Sequence, residues 1–169
     1  NTLRVYDRLV LNITFPGADQ GLTNLLSDKY SDACFAGPAA RIINHGAFGQ
    51  TRDTASHYPI KMVIVADTLF HDALQPFIAW KTKKGFIVDE AYTSNPAVGN
   101  TTTSISNYLQ AEYDNASTWD PAPTFILIVG DVAQVPAFSG TAGSHVTDMY
   151  YAEFTGDMIA DAYFGRFSA

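Results

Sequence analysis

The sequence predicts an α/β fold, a parallel sheet sheathed by helices, running from about residue 60 to the end. Three short runs, 60–66 (IKMVIVA), 86–92 (FIVDEAY) and 124–129 (TFILIV), read as strands, the first as a strand covered on both faces. Helical stripes separate them, and the order strand, helix, strand, helix, strand implies right-handed crossovers. With 169 residues, 47% apolar and 16% charged, the chain can bury an ordinary core.

The leading region has a different character. Leu3, Val5, Leu9, Leu11, Ile13 and Phe15 share one parity, the period-2 pattern of a half-buried strand over 3–15 that Pro16-Gly17 ends. Residues 22–30 and 39–44 each suit a short helix, and 45–57, without periodicity, reads as an exposed linker. After the first apolar run, Asp67 or Thr68 can cap a helix whose stripe is Phe70, Leu74, Phe77, Ile78 and Lys81. Pro76 should kink or restart it, and Gly85 supplies the left-handed residue beyond its end. Thr101 to Thr103 offer a cap for a second helix reaching about Trp119, with Ile105, Tyr108, Leu109 and Tyr113 on one face. Residues 149–154, a turn near 155–157 and residues 159–167 predict a hairpin, and 164–169 read as a strand returning into the sheet. Starting at Asn1 and stopping there, the chain reads as a fragment.

Composition removes several classes of function. A net charge of −7 argues against a nucleic-acid partner, because phosphate backbones need clustered Lys and Arg. The densest basic cluster, Lys81, Lys83 and Lys84, lies at a helix end and complements the helix dipole. No apolar run reaches the roughly 20 residues of a membrane span. Cys34 is the sole cysteine, so an internal disulfide or Cys-based zinc site is ruled out, and its default reading is a small buried hydrophobe. No phosphate loop, dinucleotide fingerprint or G-x-S-x-G elbow is present.

Two places remain for chemistry. Asp131 follows the third strand at the edge where open α/β sheets hold ligands, so its carboxylate suits a metal or substrate. The plainer reading, that Gly130-Asp131 makes the turn, comes first on sequence alone. In Phe154-Thr155-Gly156-Asp157-Met158-Ile159-Ala160-Asp161 two carboxylates and alternate backbone carbonyls suit the oxygen coordination of calcium, or else a solvated turn. Cys34 and His45 precede the sheet that would hold a catalytic dyad rigid, and His57 and His71 have no evident partner in sequence. Glycosylation triplets begin at Asn12, Asn100 and Asn115 and carry little weight.

From about Ile60 to Ala169 the chain resembles the catalytic domain of the gingipains, bacterial cysteine endopeptidases, and more closely their lysine-specific branch. The likeness lies in MVIVAD (62–67), QPFIAWKTKKGF (75–86), VGNTTTSISNYLQAEYDN (98–115), FILIVGDVAQVP (125–136), HVTDMYYAEFTGD (145–157) and AYFGRFSA (162–169). It implies a caspase-like three-layer parallel sheet with flanking helices, of which 59–169 is the first, non-catalytic subdomain, incomplete at its C-terminus. Residues 1–58 then match the β-rich end of a pro-domain and its linker.

The resemblance further implies secretion or a bacterial cell-surface location, polypeptide substrates, and cleavage after basic residues by a cysteine thiolate with a histidine partner. Both reactive residues belong to a second half downstream of Ala169, itself the expected partner of this one, so no catalytic residue is assigned here. It implies Ca2+ as well. Asp131 matches one calcium ligand, and Asp157, the carbonyl of Ile159 and Asp161 match a second site completed by a carbonyl of Phe154 or Thr155. The family usually carries Glu where Asp161 stands. Arg52 and Lys61 are candidate processing sites of the zymogen, since the family matures after basic residues. The competing reading is a non-enzymatic, calcium-dependent binding or adhesion module on a degenerate peptidase scaffold. A flavodoxin-like small-molecule domain ranks third, disfavoured by the missing phosphate loop.

Overall fold

The computed structural model describes residues 10, 14, 16–30, 59–117, 119–141 and 145–168. Of the predicted strand 3–15 only Val10 and Thr14 are described, neither of them in a strand. The expected helix 39–44, the linker 45–57, Cys34, His45, Arg52 and His57 lie outside the described residues. Helix α1 (Gln20–Tyr30) starts two residues before the expected 22–30 because Asp19 caps it, its carboxylate accepting from the Leu22 N–H at 3.0 Å.

The sheet domain runs β1 (Ile60–Ala66), α2 (His71–Lys83), β2 (Phe86–Tyr92), α3 (Thr102–Asp114), β3 (Pro123–Val129), the short antiparallel pair β4 (Phe138–Ser139) and β5 (Val146–Thr147), then β6 (Tyr163–Phe167). The sheet order is β2-β1-β3-β6, every pairing parallel. This is the layered parallel sheet that the sequence predicts. Side-chain alternation divides it into two cores. Val63, Val65, Ile126 and Ile128 pack with Ile105 and Leu109 of α3, whereas Met62, Ile64, Ala66 and Val129 pack with Leu74 and Ile78 of α2. The helices therefore cover opposite faces, as right-handed crossovers to either side of β1 require.

The local punctuation follows ordinary chemistry. Asp67 caps a 3-10 turn, Thr68–Phe70, that leads into α2, accepting from the Leu69 N–H at 2.8 Å. Thr101 and Ser104 form a reciprocal capping box at the start of α3. Gly85 ends the passage from α2 to β2 at φ +89°. Helix α2 continues through Pro76 without a restart. Pro76 and Asp72, the residue whose carbonyl loses its bond to the missing N–H, are both exposed, so water can replace that bond.

Two further expectations fail. Helix α3 stops at Asp114, not near Trp119, since Ser117 and Asp120 form a turn with bonds of 2.8 and 3.1 Å. The hairpin over 149–167 does not form. Met149–Tyr151 is a 3-10 turn that sinks Tyr151 into the α3-side core, and β6 pairs with β3 in parallel. The residues read as the first arm of the hairpin form a buried turn rather than a strand. The return of the chain into the sheet at β6 is as expected.

Among the described residues one charged side chain is fully buried. Lys61 of β1 is 3% exposed, and its ammonium donates to Glu112 of α3 and, at 2.7 Å, to Asp120. Burial alone would lower its pKa, but the bonds from Asp120 and Glu112 outweigh that and hold it above 10.5. As a processing site Lys61 is poorly placed, because a protease needs an accessible extended segment and this residue is inside a central strand.

Lys61→Met is expected to cost about 1–2 kcal/mol, less than a fully orphaned buried charge because both acids reach water. The raised ammonium pKa makes this contribution complete below 10.5, and it disappears as pH rises through the folded-state value. Denaturant titrations of the two proteins should therefore differ by a constant amount up to about pH 10 and converge above it. A gap that persists unchanged at pH 12 would contradict the ion-pair account.

Candidate functional site

The order β2-β1-β3-β6 has its topological switch between β1 and β3, where successive crossovers leave in opposite directions. The carboxyl ends of these strands carry Asp67 and Gly130-Asp131. Gly130 adopts φ +122°, and a Cβ there would stand 3.0 Å from the Gln134 Cβ and 3.1 Å from the Phe70 ring. Only glycine fits this exit.

The turn reading of Gly130-Asp131 is realised: the Asp131 carbonyl accepts from Gln134 N–H at 3.0 Å and from Val135 N–H at 2.9 Å. That leaves the carboxylate exposed at the rim. From residue 59 onward the sequence holds twelve Asp and Glu. Eleven accept a hydrogen bond, whereas the Asp131 carboxylate accepts none among the described residues. The side-chain oxygen of Gln134, in the same loop, is buried and also unsatisfied.

Arg166 of β6 fixes this rim. Its guanidinium grips Asp148 through two bonds, 2.8 and 2.7 Å, and donates to the carbonyls of Gly130 and Val135 at 2.9 Å each. Tyr151 adds a 2.6 Å bond to the Pro136 carbonyl. The bond to Asp148, more than offsetting burial, holds Arg166 above its ordinary pKa. Burial, and then the charge of Asp148, push the Tyr151 phenol up to about 12. Sequence reasoning missed Arg166, Asp148 and Tyr151. A lone Arg inside an aromatic strand was the one available signal.

The acidic loop is built by carboxylates accepting backbone N–H groups. Asp161 accepts from Phe154 at 2.7 Å and Thr155 at 3.1 Å, Glu153 from Gly156 and from Asp157 at 3.0 Å, and Asp157 from Ile159 at 2.9 Å. Met158 sits at φ +66° between them. The sequence singled out Asp157 and Asp161, and the structure adds Glu153. Among the described residues no three Asp, Glu, His or Cys side chains come together as a metal cage. His71, read as lacking a partner, bonds the adjacent Asp72 through Nδ1 at 2.8 Å. Asn100 and Asn115 are exposed at the two ends of α3.

Comparison with known proteins fits this geometry. The family model described as Peptidase family C25 matches residues 55–169. Lys-gingipain of Porphyromonas gingivalis is 31% identical over 169 residues, covering 100% of this chain and 10% of that protein. The chain thus spans about a tenth of the length of the curated relatives it matches. A solved structure titled "Structure of Protease" is 33% identical with a TM-score of 0.62, covering 75% of this chain and 27% of that one. The complex of the pro- and mature domains of Porphyromonas gingivalis RgpB shares the fold at a TM-score of 0.57 and 22% identity, over 64% of this chain and 25% of that one. These likenesses bear out the resemblance read from the sequence.

Arg166→Lys keeps the charge but loses the planar fork, so it should destabilise the protein by about 2–4 kcal/mol in chemical denaturation. A loss under about 0.5 kcal/mol would show that the rim does not depend on this network.

Proposed function

The chain belongs to peptidase family C25, and from that premise we propose that it is the sheet-forming, non-catalytic half of a secreted or cell-surface cysteine endopeptidase that cleaves polypeptides after basic residues. The observation that carries the reading is the family match across the whole sheet domain, together with a relative named for lysine. The reactive thiolate and its histidine come from polypeptide downstream of Ala169. In such chemistry the thiolate attacks the scissile carbonyl, and the histidine protonates the departing amine. This half contributes rigidity, through a two-faced core and a rim clamped by Arg166.

The place of β6 at the end of the sheet order supports the placement of that partner. Among the described residues β6 pairs with β3 alone, and Phe164 and Phe167 are 41 and 67% exposed on it. A strand at the end of a sheet that exposes aromatic side chains is a template for further polypeptide. Residues 1–58 act as the tail of a pro-segment with its linker.

Calcium forms part of the proposal. The donors are all oxygen, which suits a hard cation. Asp157, Asp161, the carbonyl of Ile159 and a carbonyl of Phe154 or Thr155 would hold one ion. Asp131, whose carboxylate accepts no hydrogen bond among the described residues, would serve a second whose remaining ligands lie downstream. Bonds from N–H groups leave lone pairs free on each loop carboxylate. Calcium supplies no reaction step here, and it fixes loops by linked binding.

The test of the catalytic reading is direct. The reading frame beyond Ala169 should encode a His-Gly motif and a strand-borne Cys, and the longer protein should hydrolyse lysyl or arginyl peptide substrates and lose activity when that Cys is replaced. The mature N-terminus should follow Arg52 rather than Lys61. A downstream sequence without Cys and His supports the adhesion module instead.

Calcium is expected to raise the melting temperature of the full chain, with saturation, and EDTA to reverse the rise. Asp161→Asn should remove most of the increment. A melting temperature indifferent to calcium in the wild-type chain overturns the loop site.

A further inference from the structure

Charge on the sheet domain is distributed unevenly. From residue 59 onward five Lys and Arg face twelve Asp and Glu. Lys61 and Arg166 are committed to carboxylate partners. The other three cations, Lys81, Lys83 and Lys84, stand together at the end of α2, and none is ion-paired among the described residues. The helix terminus offsets only about half a charge of the three.

These lysines share the surface with an open aromatic. Trp80 is 49% exposed, and the ammonium groups of Lys81 and Lys84 each lie 5.1 Å from its ring centre. Lys81 is also 4.6 Å from the Phe86 ring and 5.5 Å from that of Phe77, which fixes it against the edge of the core. Lys83, three residues beyond Trp80, is exposed on the adjoining face of the last turn. The patch lies where α2 hands the chain to β2, at the amino end of the strands and opposite the rim of Asp131.

We propose that this patch binds a sulfated polysaccharide, with sulfate esters on the lysines and a pyranose ring on the indole. Charge complementarity selects an anion, because this is the one concentration of uncompensated positive charge among the described residues of the domain. Ligand size follows from the small number of charges. A nucleic-acid backbone is held by a longer track of cations. A bilayer needs a broad face of insertable apolar side chains, and here a single indole is offered. The site is independent of the peptidase reading and stands or falls separately.

The test uses the 169-residue chain carrying Trp119→Phe, which leaves Trp80 as its one indole, since the chain has two Trp. Heparin and dextran sulfate should quench or shift Trp80 emission at 50 mM salt, and neutral dextran should not. The logarithm of affinity should fall against the logarithm of salt with a slope of about −2 to −3, as expected for three ammonium groups. Lys83→Glu with Lys84→Glu should weaken heparin binding at least tenfold while leaving the melting curve in place, and Trp80→Ala should weaken it severalfold on heparin resin. Where Trp80→Ala unfolds the chain, the lysine pair decides. The proposal is overturned by absence of binding at 50 mM salt, by equal affinity in the lysine variant, or by stronger binding to phosphatidylglycerol vesicles or single-stranded DNA than to heparin.

Discussion

Strand β1 must be buried on both faces, and the rest of the architecture answers that requirement. Residues 61–66 are buried without interruption, so no face of this strand can meet water. One helix cannot cover two faces. The chain therefore crosses to β2 beneath α2 and returns to β3 beneath α3, and strand parity sends Met62, Ile64 and Ala66 to one helix and Val63 and Val65 to the other. With β1 and β3 central, β2 and β6 become edges, and the switch point falls between the exits that carry Asp67 and Asp131. Edge, rim and layer are consequences of one doubly covered strand.

The two cations drawn into this framework lie toward opposite ends of the sheet and work differently. Lys61, near the amino end of β1, is a flexible point charge held by two acids from beyond the core. Its role is to make a polar strand position compatible with burial, and an apolar side chain could fill the same space. Arg166, at the carboxyl end, joins β6, the exit loop of β3 and Asp148 through a rigid fork. No apolar residue can reproduce that, because the carbonyls of Gly130 and Val135 would lose their donors. The carboxyl end is thus specified by geometry, and the amino end mainly by burial.

Much of this was legible in the sequence where the signal is local. Apolar stretches at 62–66 and 125–129 mark β1 and β3, and Asp67, Thr101 and Gly85 act within a few residues of themselves. The misread places depend on distant partners. Residues 149–154 read as a strand, yet the rings of Tyr150 and Tyr151 both pack against Phe138 and Met149–Tyr151 is a turn. The bonds of Arg166 reach 18, 31 and 36 residues along the chain, beyond any window of periodicity. At the acidic loop, spacing shows that Asp157 and Asp161 are near in sequence. It does not show that each turns toward the loop's own N–H groups.

Carboxylate use distinguishes structure from function more sharply than position does. An acidic surplus normally signals only solubility. Here the acids have work inside the fold: Asp67 caps a turn, Asp89 accepts from Tyr108 at 2.7 Å, Glu90 from Tyr92 and Gln75, and Glu153, Asp157 and Asp161 shape a loop. A carboxylate so engaged helps to hold a conformation, and its conformation in turn limits what else it can bind. Asp131 differs. Its backbone makes the turn, its neighbour Gly130 is pinned by Arg166, and its side chain accepts no hydrogen bond among the described residues. A rigidly presented, unsatisfied carboxylate at a switch point is what a cation, or the ammonium of a basic substrate, requires of a binding site. The rigidity comes from Arg166, a residue distant in sequence, so it cannot be read from Asp131 alone.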